Sequence, residues 1–447
     1  MTSIRSIAVV CLLCIGGVAH ADEGAKPNVL FIVVDDLNMQ LGCYGSTVVR
    51  SPNLDRLAAK GIRFDRAYCN YPVCNASRTS FLSGLRPDTT QVFTNGVDPR
   101  TELGGDFQFL PEYFRARGYE AIGVGKIPHT PEHIASITWD YFDDPGAAAE
   151  DDKKSKRASK SDEKKRDLRS LDDAEQPDGI AVRRAVEFIK KPRDKPLFLA
   201  VGLHRPHGPR VAPQKYFDMY PALEMKLPEE PPDHTDGIPS IALPPQYNPD
   251  WSEKKWQSEL QTYYACVTFM DAQVGVLLEA LDRLDAWKNT IVVFFSDHSS
   301  HLGEHGGFWG KQSLMEESVR IPLLIYAPGK ASGDSCPRVV ELIDLFPTLT
   351  DLAGLPAPSS AEGRSLVSLL DKPSRKWNHA AYSVTRRGKQ DLGRSVRTER
   401  WTYIVWPDGS EQLYDYAADP KEYNNLAQKD DYASVIAEMK ALLDRKP

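Results

Sequence analysis

The chain has 447 residues, a formal net charge of −7 at pH 7, 41% hydrophobic residues and 26% charged residues. This composition is typical of a globular protein with a sizeable core, and the length predicts one large domain with a smaller one. Because the net charge is negative, nothing in the composition points to nucleic acid, and any polyanionic partner would need a local basic site.

The first segment has the pattern of a secretory signal peptide. Arg5 precedes the apolar run IAVVCLLCIGGV, which ends in the small-residue cleavage site Ala19-His20-Ala21. We therefore predict that residues 1–21 are removed and that the mature protein is periplasmic or secreted, without a membrane attachment. A retained anchor is the alternative, but the run is short for a membrane span and no later segment is long enough for one.

Predicted strands and helices alternate along most of the remaining chain. Apolar runs rich in β-branched residues predict strands, while Ser51, Pro52 and Gly61 bracket a helix as N-cap, first helical residue and C-cap. In chain order we predict a strand at 27–36, a helix at 51–61, a helix opening at CNASR (74–78), a helix at 107–118, a strand at 119–126, a helix at 178–191, a strand at 196–204, a helix at 259–284 and a strand at 290–298. This alternation predicts a parallel or mostly parallel sheet with helices on both faces.

Two regions depart from this alternation. Residues 151–169 are polar and charged, which predicts a solvated insertion, with contact to an anionic polymer as the alternative. After Trp377, the segment SVRTERWTYIVWPDGSEQLYDY reads as short alternating strands, two of them joined by a P-D-G-S turn, and predicts a small antiparallel sheet. We therefore divide the mature chain into a main domain, 22–375, and a C-terminal subdomain, 376–447.

Cleavage after residue 21 leaves an odd number of cysteines: Cys43, Cys69, Cys74, Cys266 and Cys336. These five form no Cys-x-x-Cys pair, and a chain of this size does not need disulfides. At least one cysteine must therefore be free or modified. We expect Cys69 and Cys266 to be buried and inert.

Polar residues gather where the predicted strands end. They are Asp35 and Asp36 after the first strand, Lys126 and His129 after the second, His204, Arg205 and His207 after the third, and Asp297 and His298 after the fourth, with Lys311 in a Gly-rich loop beyond it. Open α/β sheets bind ligands at the edge formed by the carboxyl ends of their strands. Three carboxylates held together need a hard cation such as calcium or magnesium, and surrounding lysines and an arginine would cradle phosphate or sulfate. The candidate nucleophile is Cys74, close to Ser77 and Arg78.

The segment from Cys74 to Arg78, followed by TSFLSGLRP, resembles the signature of type I sulfatases, in which the cysteine is oxidised to formylglycine. Ala76 stands where proline is commoner. The segments VVDDLNMQLGCYG, GVGKIPH, LHRPH, SDHSSHLGEHG and LYDYAADPKEYNNLA are similar to sulfatase segments in family order. GK-x-x-H, His-Arg-Pro-His and an Asp-His pair place the resemblance in the iduronate-2-sulfatase-like branch. It implies an alkaline-phosphatase-like α/β sandwich, with a large mostly parallel sheet flanked by helices and a small C-terminal subdomain of antiparallel sheet and helix.

The resemblance also implies a sulfuric ester hydrolase that uses one Ca²⁺ and a formylglycine at position 74. The implied metal ligands are Asp35, Asp36, Asp297, His298 and the modified Cys74, although an imidazole is a soft ligand and His298 could instead orient the others. Arg78 would stabilise the aldehyde hydrate, Lys126, His129 and Lys311 would bind sulfate oxygens, and His204 would protonate the leaving alcohol. One hydroxyl of the hydrate would attack sulfur, and loss of the proton from the other would expel sulfate.

The implied partners are a sulfated carbohydrate, most specifically a 2-O-sulfated uronic acid, and a formylglycine-generating enzyme, with no nucleic acid. Arg205 would either bind the uronate carboxylate or hold its own loop, and His207 would either orient that loop or touch substrate. We expect structural roles for Ser77 and for His301 and His305. Two other functions stay open: a phosphatase or phosphodiesterase of the same superfamily, and a non-catalytic polysaccharide-binding relative.

Overall fold

The computed structural model describes residues 26–147, 168–388 and 391–445. The predicted signal peptide and residues 151–167 of the charged segment lie outside the described residues. The strands are β1 (Asn28–Val34), β2 (Ile62–Tyr68), β3 (Glu120–Gly125), β4 (Tyr141–Asp143), β5 (Leu197–Leu203), β6 (Thr290–Ser296), β7 (His301–Leu302), β8 (Trp309–Gly310), β9 (Arg320–Tyr326), β10 (Asp334–Glu341), β11 (Ala381–Arg387), β12 (Asp391–Arg397), β13 (Trp401–Val405) and β14 (Glu411–Asp415).

The helices connect these strands and cover the main sheet. They are α1 (Pro52–Lys60), α2 (Cys74–Ser83), α3 (Pro87–Thr90), α4 (Pro99–Leu103), α5 (Leu110–Arg115), α6 (Pro131–Ala135), α7 (Pro177–Lys190), α8 (Gln214–Phe217), α9 (Glu253–Arg283), α10 (Glu304–Gly307), α11 (Glu316–Val319), α12 (Leu345–Leu352), α13 (Val367–Asp371) and α14 (Ala433–Asp444). The helices predicted at 107–118 and 259–284 are therefore α5, which is shorter than predicted, and α9, which begins earlier.

The main sheet has eight strands in the order β10-β2-β9-β6-β1-β5-β3-β4. Strand β1 pairs in parallel with β5 on one side and β6 on the other, while β9 is antiparallel to both of its neighbours, β6 and β2. Strands β5 and β6 are buried along their whole length, as strands covered by helices on both faces must be. The predicted mostly parallel sheet flanked by helices is confirmed.

Alternate side chains of β1 enter two separate hydrophobic cores on the two faces of this sheet. Phe31 and Val33 belong to one core, and Ile32 and Val34 belong to the other. Helix α9 crosses the second core. The expectation that no later segment is long enough to span a membrane is wrong for α9 by length and composition, but 83% of its most apolar window is buried inside the protein. Its hydrophobicity therefore reflects its place in the core.

The C-terminal strands form the predicted antiparallel sheet, in the order β11-β12-β13-β14. Helix α14 packs on it through Met439 and Leu443, which join a small core with Val396, Tyr403 and Leu413. Other side chains of the same sheet belong to a core of the main sheet, so the two parts pack closely. Since β11 is the first strand of this sheet, we keep the division between 375 and 376 as a proposal.

A buried ion pair joins the end of β10 to the segment before α3. Both carboxylate oxygens of Glu341 bind the Arg86 guanidinium, with Oε2 at 2.8 Å from Nη2. Asn70 Nδ2 and the backbone N–H of Tyr382 donate to the same carboxylate at 2.8 and 2.9 Å. Burial opposes ionisation of Glu341, but Arg86 and His379 outweigh it and lower its pKa to about 2. The pair is therefore charged and fully desolvated.

We expect Arg86→Ala to lower the free energy of unfolding by about 3–5 kcal/mol, because it leaves the Glu341 carboxylate buried without its cation. Urea unfolding at pH 7 measures this change. The matched control is Arg283→Ala, which removes an exposed partner of Glu279 and should change stability far less. Equal losses in the two variants would contradict the assignment. Because the Glu341 pKa is lowered, its contribution is present above pH ~4.3 and is lost as the pH falls towards 2.

Candidate active site

Four neighbouring parallel strands bring the predicted site residues to one edge of the sheet. Strands β6, β1, β5 and β3 lie side by side in this order. They are followed respectively by Asp297, Asp35, His204 and Lys126. Because parallel strands end at the same edge, these side chains share one region although up to 262 positions separate them in the sequence.

Cys74 is the first residue of α2, and its thiol lies inside a cluster of charged groups. Its Sγ is 3.0 Å from Lys311 Nζ, 3.4 Å from His298 Nε2 and 3.4 Å from Asp35 Oδ1. Burial and Asp35 raise the pKa of the thiol, but Lys311, His298 and Lys126 outweigh them and hold it well below its usual value. Position 74 is therefore built to hold a negatively charged atom, and its place at a helix N-terminus adds to this effect.

The carboxylates around Cys74 form a set of donors for a cation. Four buried residues each offer one ligand atom, and these atoms lie within 4.8 Å of one another: Asp35, Cys74, Asp297 and His298. Burial and the neighbouring Asp35 raise the pKa of Asp297 to about 7, against the effect of His298 and Arg78. A divalent cation would relieve this repulsion. The oxygen atoms of these carboxylates are the donors that calcium takes, so the residues present fit that ion.

Asp36 extends the cluster towards the loop that follows β5, which carries His207. Its Oδ1 accepts a hydrogen bond of 2.8 Å from Lys311 Nζ and lies 3.4 Å from His298 Nδ1. The imidazole of His207 is 4.0 Å from Asp36 Oδ2, and the two form a second possible metal-binding group with Asp35. Burial lowers the pKa of His207, but Asp35 and Asp36 raise it above its ordinary value overall. His207 therefore faces the two carboxylates that follow β1.

Arg78 locks α2 against the ends of two strands. Its Nε donates to Asp297 Oδ2 at 2.9 Å and its Nη1 donates to the carbonyl of Ile127 at 2.9 Å. Its Nη2 is buried 3.7 Å from Asp35 Oδ2 and has no hydrogen-bond partner in the described parts of the chain. The Ser77 hydroxyl donates to the carbonyl of Asp297. Ser77 thus holds the turn, as expected, and Arg78 adds positive charge beside the carboxylates.

The two predicted sulfate-binding lysines join the cluster, whereas His129 does not. Lys126 forms a buried ion pair with Asp35, and Lys311 contacts both Asp36 and Cys74. The ring of His129 lies 6.2 Å from that of His133, and its buried Nδ1 has no hydrogen-bond partner among the described residues. His129 keeps a free ring nitrogen for a ligand but forms no hydrogen bond to the cluster.

His204 is held by partners that the sequence did not reveal. Its Nε2 lies 2.9 Å from Asp144 Oδ1, and Asp178 accepts from the backbone N–H groups of His204 and Arg205 at 2.9 and 3.0 Å. Asp144 follows β4, a strand of three residues. Like Asp35 and Asp297, Asp144 comes directly after a strand. A strand of three residues is too short to be recognised from its hydrophobic pattern, so the sequence did not reveal this acid.

The Arg205 side chain holds its own loop. Its Nε donates to the carbonyl of Val211 at 2.8 Å, and its Nη1 donates to that of His207 at 3.4 Å. Of the two roles that the sequence left open for Arg205, the contacts favour the structural one. They also leave His207, two residues later, facing Asp36.

The remaining polar candidates lie outside the cluster. The Nε2 of His301 contacts Ser313 Oγ at 2.7 Å, and that of His305 contacts Glu317 Oε2 at 3.2 Å, as structural roles require. Cys69 and Cys266 are buried and free. Burial raises the pKa of both thiols, that of Cys266 to about 11, so they stay protonated and unreactive, as expected.

Comparison with protein families identifies the family to which this chain belongs. A family model described as sulfatase matches residues 27–355, and one described as N-sulphoglucosamine sulphohydrolase, C-terminal, matches residues 303–446. The chain belongs to the sulfatase family. The iduronate-2-sulfatase-like resemblance seen in the sequence is confirmed by the relatives that follow.

Two relatives and one solved structure cover nearly the whole sulfatase chain. A sulfatase of Formosa agariphila is 35% identical over 95% of this chain and 87% of its own. The iduronate 2-sulfatase of Homo sapiens is 33% identical, over 89% of this chain and 90% of its own. A solved structure described as a 2-O GAG sulfatase superposes with a TM-score of 0.75 at 25% identity, over 94% of this chain and 91% of its own.

Proposed function

We propose that this sulfatase hydrolyses sulfate esters of a sulfated carbohydrate, with a formylglycine at position 74 as nucleophile and one calcium ion. The observation that carries the proposal is the position of the Cys74 side chain between Lys311 and the group of Asp35, Asp297 and His298. That position combines a cation for the sulfate with oxygen donors for the metal. Such a combination suits attack by a side-chain oxygen on sulfur.

The residues divide into those that hold the metal and those that bind the ester. Asp35, Asp36, Asp297, His298 and position 74 would hold calcium, which when bound lowers the pKa of the attacking oxygen and neutralises the carboxylates. Lys126 and Lys311 would bind sulfate oxygens when the substrate takes over from their carboxylate partners. His129 would add a ring N–H to the same ester.

His204 is proposed to protonate the leaving alcohol. The carboxylate of Asp144 lies 2.9 Å from its Nε2 and fixes the orientation of the ring. In this role Asp144 is a positioning residue. His207, whose imidazole lies 4.0 Å from Asp36 Oδ2, is proposed to contact the sulfate or the adjacent sugar.

The proposed substrate is a 2-O-sulfated uronic acid within a polysaccharide or oligosaccharide. Two similarities support it: the human relative is named iduronate 2-sulfatase, and the solved structure is described as a 2-O GAG sulfatase. Since the Arg205 side chain is bound to its own loop, the uronate carboxylate would need another cation. We further propose that the chain is exported and that a formylglycine-generating enzyme modifies it. A mature chain still beginning at residue 1 would contradict export by signal cleavage.

The modification at position 74 is tested by mass analysis of the peptide that contains it. From a host with a competent converting enzyme, we expect the mass change of SH₂ replaced by O. The peptide that contains Cys266 should keep an unmodified thiol and serves as the internal control. A fully active preparation in which position 74 carries only the thiol would refute the proposed nucleophile.

The substrate is tested by kcat/KM on three esters: a 2-O-sulfated uronate oligosaccharide, its carboxyl-reduced counterpart and an aryl sulfate. We expect the uronate to be preferred over the reduced sugar by about tenfold or more, since a charge-assisted contact to a carboxylate contributes on the order of 1.5–3 kcal/mol. Equal rates on the first two would reject the uronate while leaving a sulfatase. Hydrolysis of phosphate esters alone would favour the phosphatase alternative.

A further inference from the structure

We propose that this sulfatase has a second binding surface for its substrate polymer, a basic groove between the main sheet and the C-terminal subdomain. The groove has a volume of about 650 Å³, and its lining includes Arg338, Arg364, Lys376, Trp377, Tyr382 and Arg445. The occupant to which we commit is a sulfated polysaccharide chain. This identity rests on the proposed function, whereas the groove itself follows from the structure.

The cations of the groove are available to a ligand. Arg364, Lys376 and Arg445 are exposed, and none of them takes part in an ion pair within the part of the chain that the structure describes. Arg338, in contrast, already has an anionic partner, because it binds Glu399 at 2.5 Å. Three unpaired cations in one concave surface repel one another unless an anion lies between them.

The groove is positive although the protein is negative. Its lining contains four lysine and arginine side chains but only two carboxylates, Glu399 and Glu438, and Glu399 is already paired with Arg338. The net charge of the whole chain is −7, so its composition does not produce such a surface. Guanidinium groups match the planar pairs of oxygens that sulfate presents, as they do for phosphate and carboxylate. The chemistry of the lining thus favours a sulfated or otherwise anionic ligand.

One aromatic ring in the groove suits a sugar. The indole Nε1 of Trp377 donates to the carbonyl of Val339 at 3.1 Å, which fixes the ring. Tyr382 is held in turn by a hydrogen bond of 3.2 Å to the carbonyl of Leu442, and the Arg86 guanidinium covers its face at 4.9 Å. Trp377 is therefore the rigid apolar surface beside the cations. A flat aromatic ring next to sulfate-binding groups favours a sulfated sugar over inorganic sulfate.

Strand β11 separates the groove from Cys74. Tyr382, at its start, lines the groove, whereas Arg387, at its end, donates to the carbonyl of Gln312 next to Lys311. The strand has seven residues, and at about 3.3 Å per residue its two ends are about 20 Å apart. A monosaccharide or an aryl sulfate cannot reach both places, but a polymer can. Binding in the groove would raise the local concentration of sulfate esters at Cys74.

The test compares two triple variants with the same change of net charge. Arg364→Gln, Lys376→Gln and Arg445→Gln are combined in the groove variant, and three cations remote from it, in Lys190→Gln, Arg283→Gln and Lys288→Gln, form the control. Both are made with Cys74→Ala so that the probe, a size-defined heparin oligosaccharide, is not hydrolysed. We expect the Kd of the groove variant to rise about tenfold and that of the control to change little. Chemically desulfated oligosaccharide should bind weakly to all forms.

Equal Kd values for the groove and control variants would overturn the proposal. So would a loss of affinity for anionic lipid vesicles alone, which would assign the groove to a membrane surface. With Cys74 restored, the groove variant should keep its kcat/KM on an aryl sulfate and lose it on the polymer. If the unaltered enzyme hydrolyses no sulfate ester, the proposed function fails, but the binding comparison still decides whether the groove binds the sulfated oligosaccharide.

Discussion

Cys74→Ala is expected to lower kcat/KM on every sulfate ester by on the order of 10⁴-fold or more, the scale at which loss of a nucleophile acts. Alanine removes the atom that lies 3.0 Å from Lys311 Nζ, and no other side chain in the cluster carries a nucleophile at that position. The measurement is kcat/KM on an aryl sulfate and on the 2-O-sulfated uronate oligosaccharide. A fall of equal size on both is expected, since both react at the same centre.

Cys266→Ala is the matched control for this substitution. Cys266 is also a buried free thiol, but it lies in helix α9 within a hydrophobic core. Its replacement should reduce stability slightly and leave kcat/KM of the folded enzyme unchanged. If Cys74→Ala kept more than a small fraction of the activity, water activated by the cluster would be the nucleophile, and the sulfatase mechanism proposed above would be wrong.

Asp297→Asn is the second change with a large expected effect, a loss on the order of 10²-fold or more in kcat/KM. Asparagine keeps the size of the side chain but removes a negative donor from the proposed calcium site and the charge that faces Arg78 Nε at 2.9 Å. Chelation of the unaltered enzyme should likewise abolish activity, and calcium should restore it. The variant should need more calcium for half-maximal activity than the parent.

The control for Asp297→Asn is Asp271→Asn, the same chemical change at a buried carboxylate on helix α9. Asp271 binds the backbone N–H groups of Asn53 and Leu54 and lies outside the cluster. This variant should alter stability but not the calcium dependence of activity. Full activity of Asp297→Asn in excess chelator would contradict the metal site. Recovery with zinc but not calcium would favour a phosphatase-like centre.

The edge of the sheet at which the site lies could be predicted from the sequence. Continuous apolar runs such as residues 29–34 and 291–295 identify buried parallel strands, and Asp35 and Asp297 follow them directly. Both properties are local, because hydrophobic burial depends on neighbouring residues and strand direction follows from the alternation with helices. The same holds for Cys74, whose motif is contiguous. Strand β9, in contrast, has the same kind of apolar run as the parallel strands. Its antiparallel direction therefore could not be predicted from its own residues.

The partners of the site residues were decided by the tertiary structure. Asp144 reaches His204 across 60 positions, and nothing near either residue indicates the pair. Helix α1 is another example: Ser51 stands at the N-cap as predicted, but its side chain makes no capping bond, and Asp271 accepts from Leu54 N at 2.8 Å instead. Ser51 Oγ accepts from the backbone N–H of Gly42.

The contacts of side chains in loops could not be predicted from the sequence either. The sequence left open whether Arg205 and His207 contact the substrate or hold their loop, and only the fold shows that Arg205 binds its own loop and that His207 faces Asp36. A hydrophobic pattern predicts a strand or helix reliably because every apolar residue in the run favours burial of the same segment. A single hydrogen bond is a small free-energy difference between competing partners, and which partner is near depends on the packing of the whole chain. The sequence by itself therefore determined the strands and helices around the site, the Cys74 motif and the edge of the sheet at which the candidate site lies, and the tertiary structure determined which side chain supports which.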